Sequence, residues 1–123
     1  MTDRTLPPGW PEQVRRPGTP DWERSATGWL LDQCPPEYRG YAVVVRHPGV
    51  LAWLAGCHVE AGLAGAGQAL ARARGELAHQ VPPPALAELI EVLEAERVRL
   101  VAARRAVGLV EGALRGERYV PRL

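Results

Sequence analysis

Cysteine, histidine and glutamate close together are the raw material of a metal site or an activated nucleophile. The stretch AWLAGCHVEAGLAGAG, residues 52–67, supplies them as Cys57, His58 and Glu60. On a helix, where each residue turns the chain by about 100°, Cys57 and Glu60 nearly share a face while His58 points away. A structural zinc site needs four ligands, usually in a C-x-x-C or H-x-x-x-H rhythm. Cys34, His47 and His79 are the remaining donors, and none repeats that rhythm. As a nucleophile, Cys57 would need a base held by a third group, and an adjacent His58 cannot turn back onto it within a helix. Cys57 reads as a buried structural thiol and His58 as a partly exposed or capping imidazole. Ser25 has no G-x-S-x-G setting, and Gly62, Gly65 and Gly67 do not follow a strand as a phosphate loop would. No catalytic residue, metal ligand or cofactor is assigned, and the balance weighs against an enzyme.

Two other clusters pair arginine with aromatic rings, the combination that interface hot spots favour and that also suits anions. Tyr38, Arg39, Tyr41, Arg46 and His47 fall in the least regular segment, and the C-terminal RGERYVPRL adds Tyr119 and Arg122. The plainer reading has the tyrosines sealing the open end of a helix pair and the arginines solvated. Arg104 and Arg105, with Glu60, form a third candidate. Small all-helical dimeric enzymes such as the helical chorismate mutases hold dianions between bundle arginines, and these residues resemble that in architecture alone. The lysine such sites also use is missing: every basic residue in the chain is arginine.

These residues must be positioned by a modest fold. A chain of 123 residues suits one domain. It has no Phe and much alanine, so the large apolar groups are the leucines, Ile90, the valines, Trp10, Trp22, Trp29 and Trp53. Such a core is thin for a monomer, and self-association is its natural remedy. The net charge of +1 argues against a dedicated nucleic-acid binder. The lack of lysine and asparagine reflects a high-GC genome more than chemistry. Two cysteines make no disulfide scaffold, and the N-terminus shows no apolar signal region. His47–Val59 and Ala61–Ala71 lack Arg, Asp and Glu but are too short to cross a bilayer. The expected setting is the cytoplasm, away from membranes.

Residues 1–18, with Pro7, Pro8, Pro11 and Pro17, read as an extended or disordered arm that Trp10 could pin to the body. Residues 19–123 read as one helical domain. A Trp-rich helix over about 20–34 would be capped by Thr19, with Pro20 in its first turn. Residues 41–46 carry the β-branched run Val43–Val45, but no second strand is visible for them to pair with, so a short helix or turn is preferred. Two long helices follow, over about 48–80 and 85–115, separated by Val81–Pro84. Leu63, Leu70 and Leu77 recur every seven residues, as do Leu86, Leu93, Leu100, Val107 and Leu114. This is the signature of coiled-coil-like packing. Folding the chain at Val81–Pro82 sets Leu77 against Leu86, Leu70 against Leu93, Leu63 against Leu100 and Gly56 against Val107. One antiparallel register thus aligns the whole seam, and it brings Arg72 near Glu91 and Glu60 near Arg104. The glycines of the first long helix cost about 1 kcal/mol each relative to alanine. They imply close neighbours, and a Gly/Ala surface at 61–69 would suit a dimer.

The fold class is therefore all-α: a long antiparallel helical hairpin with a short Trp-rich helix, dimerising into a four-helix-type bundle. The segments WERSATGWLLDQCPPEYRGY, RHP and RYVPRL resemble a group of small uncharacterised proteins of high-GC actinobacteria, from about Pro17 onward. That resemblance implies a cytoplasmic setting and no activity. The helical-hairpin secretion substrates of the same bacteria carry W-x-G at the central turn, and Val81–Pro84 does not match it. The function expected is a non-enzymatic interaction or scaffold module, working as a homodimer with a further protein partner. A helical enzyme or anion-binding protein and a nucleic-acid-associated regulator are the alternatives.

Overall fold

The computed structural model describes residues 6–121, all helix, turn and irregular chain, with no strand among them. Helix α1 spans Trp22–Leu31, a 3-10 turn covers Pro36–Gly40, and α2 spans Ala42–Arg46. The long pair is α3, Pro48–Leu77, and α4, Pro83–Leu114. Residues 41–46 thus avoid the strand that their β-branched side chains would favour elsewhere. Val44 and Val45 both donate to the Tyr41 carbonyl, so the lone segment satisfies its backbone locally.

The hairpin has the register read from the leucines. A Cβ placed on Gly62 would lie 3.4 Å from Leu100 Cδ1, and one on Gly56 would lie 3.9 Å from Val107 Cγ1. Glu60 meets Arg104 across the pair at 3.5 Å. Arg72 departs from the expectation: it turns to Glu76 on its own helix and not to Glu91. Partners four residues apart on a helix are already neighbours, whereas crossing the hairpin would demand an extended rotamer for an exposed pair worth about 0–1 kcal/mol. The turn is tighter than expected. Gln80 and Val81 bond back to the Leu77 carbonyl, and α4 begins at Pro83, where the missing N–H costs nothing.

Two corrections concern the N-terminal third. Thr19 does not cap α1: its hydroxyl donates to the Arg16 carbonyl at 2.6 Å, and the helix starts after Asp21, whose φ is 66°. Residues 6–18 are neither extended nor disordered but a chain of tight turns packed on the body. Trp10 N–H bonds to the Pro7 carbonyl and Val14 N–H to the Pro11 carbonyl, while the Trp10 indole donates to the Val14 carbonyl at 2.9 Å. Val14 is 3% exposed and belongs to the core. Arg105 of α4 donates from Nε to the Pro8 carbonyl at 2.9 Å. The next residue, Gly9, has φ 95°, and a Cβ there would stand 2.8 Å from that same nitrogen. Local turns satisfy the proline-rich backbone, and one guanidinium straps it down.

The core sits at one end of the hairpin. Val14, Leu30, Leu31, Val44, Leu51, Val107 and Val110 close around the alanines of α3, because the arm, α1 and α2 all pack there. Farther out, Ala66, Ala73, Ile90 and Leu100 are buried, but Leu70, Leu77, Leu86 and Leu93 are half-exposed, since two helices alone cannot enclose a seam. Leu30→Ala is expected to cost about 3 kcal/mol and Leu86→Ala about 1 kcal/mol or less, measured by urea unfolding.

Candidate interaction surface

The ring cluster read from the sequence is partly assembled, around a residue the reading left aside. Tyr38, in the 3-10 turn, shares a hydrogen bond of 2.8 Å between its hydroxyl and His58 Nε2. The two rings meet edge to face at 5.2 Å, and Tyr41 tilts against Tyr38 at 5.8 Å. His58 is thus half-buried as an anchor that ties the 3-10 turn to α3. Arg39 leaves the rings and pairs with Asp32 at 2.6 Å. Arg46 and His47 are exposed where α2 meets α3. Arg104 and Arg105 are engaged by Glu60 and the Pro8 carbonyl, so the two do not converge on a shared anion position. Tyr119 lies in a cleft at the far side, between the arm and the end of α4. Arg122 lies outside the described residues.

Cys57 is exposed, which overturns its reading as a buried thiol. The reason is the phase of α3. Its inner face carries Leu51, Ala52, Ala55, Val59, Ala66 and Ala73, leaving Val50, Trp53, Cys57, Ala61, Ala64, Gln68 and Ala71 on the outer face. Among the described residues there is no group of three or more His, Cys, Asp or Glu able to hold a metal ion. The half-buried thiol is Cys34, after α1, and burial pushes its pKa up against a smaller opposing pull from Arg39.

The outer face of α3 is the most unusual surface of the molecule. From Val50 to Ala71, Glu60 is the one charge on it, and Glu60 is turned toward Arg104 at its edge. Trp53 stands 62% exposed near its N-terminal end, with exposed Val50 one turn before it, and Val43 of α2 is exposed as well. The outer face of α4 is the opposite, crowded with Glu88, Glu91, Glu94, Arg97 and Arg99. By length and composition α3 could cross a membrane, contrary to the expectation that each apolar stretch is too short, because only Glu60 interrupts them. Yet 28% of its most apolar stretch is buried within the fold. Entering a bilayer would strip α3 from α4 or drag Arg97, Arg99 and Arg105 into hydrocarbon, both costly. What the face offers is about 30 Å of mostly small apolar side chains with one tryptophan near its N-terminal end.

Set against known proteins, the chain matches no family model, no curated protein and no solved structure. The surface is therefore interpreted on its own geometry. Tyr38→Phe keeps the ring and removes the hydroxyl from His58, and is expected to cost about 1 kcal/mol in urea unfolding. The Cys34 thiol has a second consequence. Its raised pKa favours the neutral form in the fold, so its contribution to stability is full below the ordinary thiol range. That contribution is lost as the pH climbs through the raised value. In a Cys57→Ser background, alkylation of Cys34 is expected to stay slow at pH 8 and to accelerate only at higher pH.

Proposed function

We propose that the chain is a non-enzymatic protein–protein interaction module of the cytoplasm, working as a homodimer in which two hairpins pack into a four-helix-type bundle. The observation that carries the reading is the outer face of α3, uncharged apart from Glu60 at its edge and carrying an exposed Trp53, beside an α4 whose outer face mixes many charges with exposed valines. A solvated helix is normally polar outside. Here α4 follows that rule in the main, despite exposed Val92, Val98 and Val101, and α3 does not.

Surface area supports the same reading. The chain exposes 8554 Å², whereas a folded monomer of 13.4 kDa is expected to expose about 6,500 Å². The excess of about 2,000 Å² exceeds the roughly 800 Å² that each partner gives to a standard interface. Part of it follows from the rod shape of a two-helix hairpin, and laying a second hairpin along α3 removes that part. Alanine and glycine at 61–69 let two backbones approach closely, and Trp53 supplies the large anchor that such interfaces favour. A two-fold arrangement makes the face its own partner. The charged face of α4 stays outside and remains open to a further protein.

Light scattering is expected to give a dimer at micromolar concentration, and Trp53→Glu and Ala64→Glu are each expected to give a helical monomer. Cys57 lies on the face, so its alkylation should slow as the protein is concentrated while that of Cys34 does not change. A stable monomer at micromolar concentration, or Glu variants that still dimerise, overturns the reading.

A further inference from the structure

The outer face of α3 carries both a knob and a hole. Its exposed residues Val50, Trp53, Cys57, Ala61, Ala64, Gln68 and Ala71 follow one another at steps of three and four, which keeps them on one side of a straight helix. Trp53 is the one ring among them, and no side chain of its own fold covers it: it stands 62% exposed. About 20 Å farther along the helix axis, Ala64, Gly67, Gln68 and Ala71 stand at the spacing i, i+3, i+4, i+7. Four residues so spaced enclose the hole into which a knob from a facing helix inserts. The floor of this hole is open, since a Cβ on Gly67 would meet nothing within 4 Å.

We infer that a second copy of this chain packs antiparallel along α3, each protomer seating its Trp53 in the hole formed by the partner's Ala64, Gly67, Gln68 and Ala71. The inference rests on the outer face of α3 being a self-association surface, and adds the direction, the register and the occupant of the hole. Seating Trp53 there places the two-fold axis between Glu60 and Ala61. The same axis then sets Cys57 against the partner's Ala64 and Val50 against the partner's Ala71, so each larger side chain meets a small one. A two-fold interface requires this reciprocity, because every contact occurs twice. A parallel pair would instead press Trp53 against the partner's Trp53, hold the backbones apart and leave both holes empty. The antiparallel pair also sets the ends thickened by the arm, α1 and α2 at opposite ends of the bundle. Glu60 falls beside the axis, where it approaches the partner's Glu60. Its pairing with Arg104 at 3.5 Å supplies the opposite charge that this position requires.

Disulfide trapping reads the register. Ala64→Cys, with Cys57 in place, is expected to oxidise to a covalent dimer, because residues 57 and 64 face each other across the axis. The parent chain and Ala64→Cys combined with Cys57→Ser are expected not to cross-link. In each of these the cysteine stands about 10 Å along the helix from its own copy, beyond disulfide reach. Cys34 is common to all three chains. Gly67→Leu fills the hole and improves the helix, so it is expected to keep its helical circular dichroism while the dimer dissociation constant rises about thirtyfold. Trp53→Ala is expected to weaken the dimer as much. Combining the two moves the large group from knob to hole and is expected to recover about tenfold of the loss. A parent chain that stays monomeric in light scattering overturns the dimer and this register together. A dimer that cross-links through Cys57 alone, fails to cross-link with Ala64→Cys, tolerates Gly67→Leu, or shows no recovery in the double variant overturns the register and leaves the dimer standing.

Discussion

The rest of the molecule depends on how closely α3 can approach α4. Beyond Leu51, the buried residues of α3 are four alanines and one valine (Ala52, Ala55, Val59, Ala66 and Ala73), and Leu100 and Val107 of α4 settle against nearly bare backbone at Gly62 and Gly56. Dispersion rewards such contact atom by atom, and it offsets part of what the glycines cost in helix propensity. A face of small residues has a second consequence. It buries little area of its own, so the bulky side chains of a core must be brought by other elements. The arm brings Val14, α1 brings Leu30 and Leu31, and α2 brings Val44, all to the same end of the hairpin.

That division explains the uneven solidity of the fold. Where the arm, α1 and α2 lie across the hairpin, side chains are enclosed from several directions and the core is dry. Toward the turn, the heptad leucines meet one another but have nothing above or below them, and they stay half-exposed. The strap of Arg105 on the Pro8 carbonyl belongs to the same logic. It joins residues 97 positions apart, and it holds Val14 where α1 alone could not complete the core. Small residues on α3 thus require a long-range contact at the N-terminus, which in turn closes one wall of the cleft over α4.

How much of this was legible follows from the chemistry of each segment. The hairpin and its register are written in leucines at seven-residue spacing and in prolines that can only start or stop a helix, so they read directly. The rotational phase of α3 did not. Alanine, glycine and cysteine are almost indifferent to burial, and a helix composed of them has no strongly polar side to mark the outside, so Cys57 was placed inward. The folded arm was hidden for another reason. Its stability comes from turns closed by single hydrogen bonds and from a side chain on a remote helix, and proline-rich composition reads the same with or without them. The role of His58 needed Tyr38 across a stretch of irregular chain.

The same indifference of small residues shapes the outer surface. On α3, alanine outside as well as inside leaves a helix that packs on two sides, which a hairpin by itself cannot satisfy. On α4 the chain's own tail closes over Gly112, where a Cβ would stand 2.8 Å from Glu117 Oε1. The strip of small residues on α3 has no such cover, and it is paired with Trp53. That pairing separates it from featureless helix surface. A strip of small residues admits a helical body at short range, and an exposed indole on the same face supplies the area that makes the contact favourable. The chain therefore spends its few large side chains in two ways: the leucines and valines close the core, and Trp53 borders a surface that the fold itself does not fill.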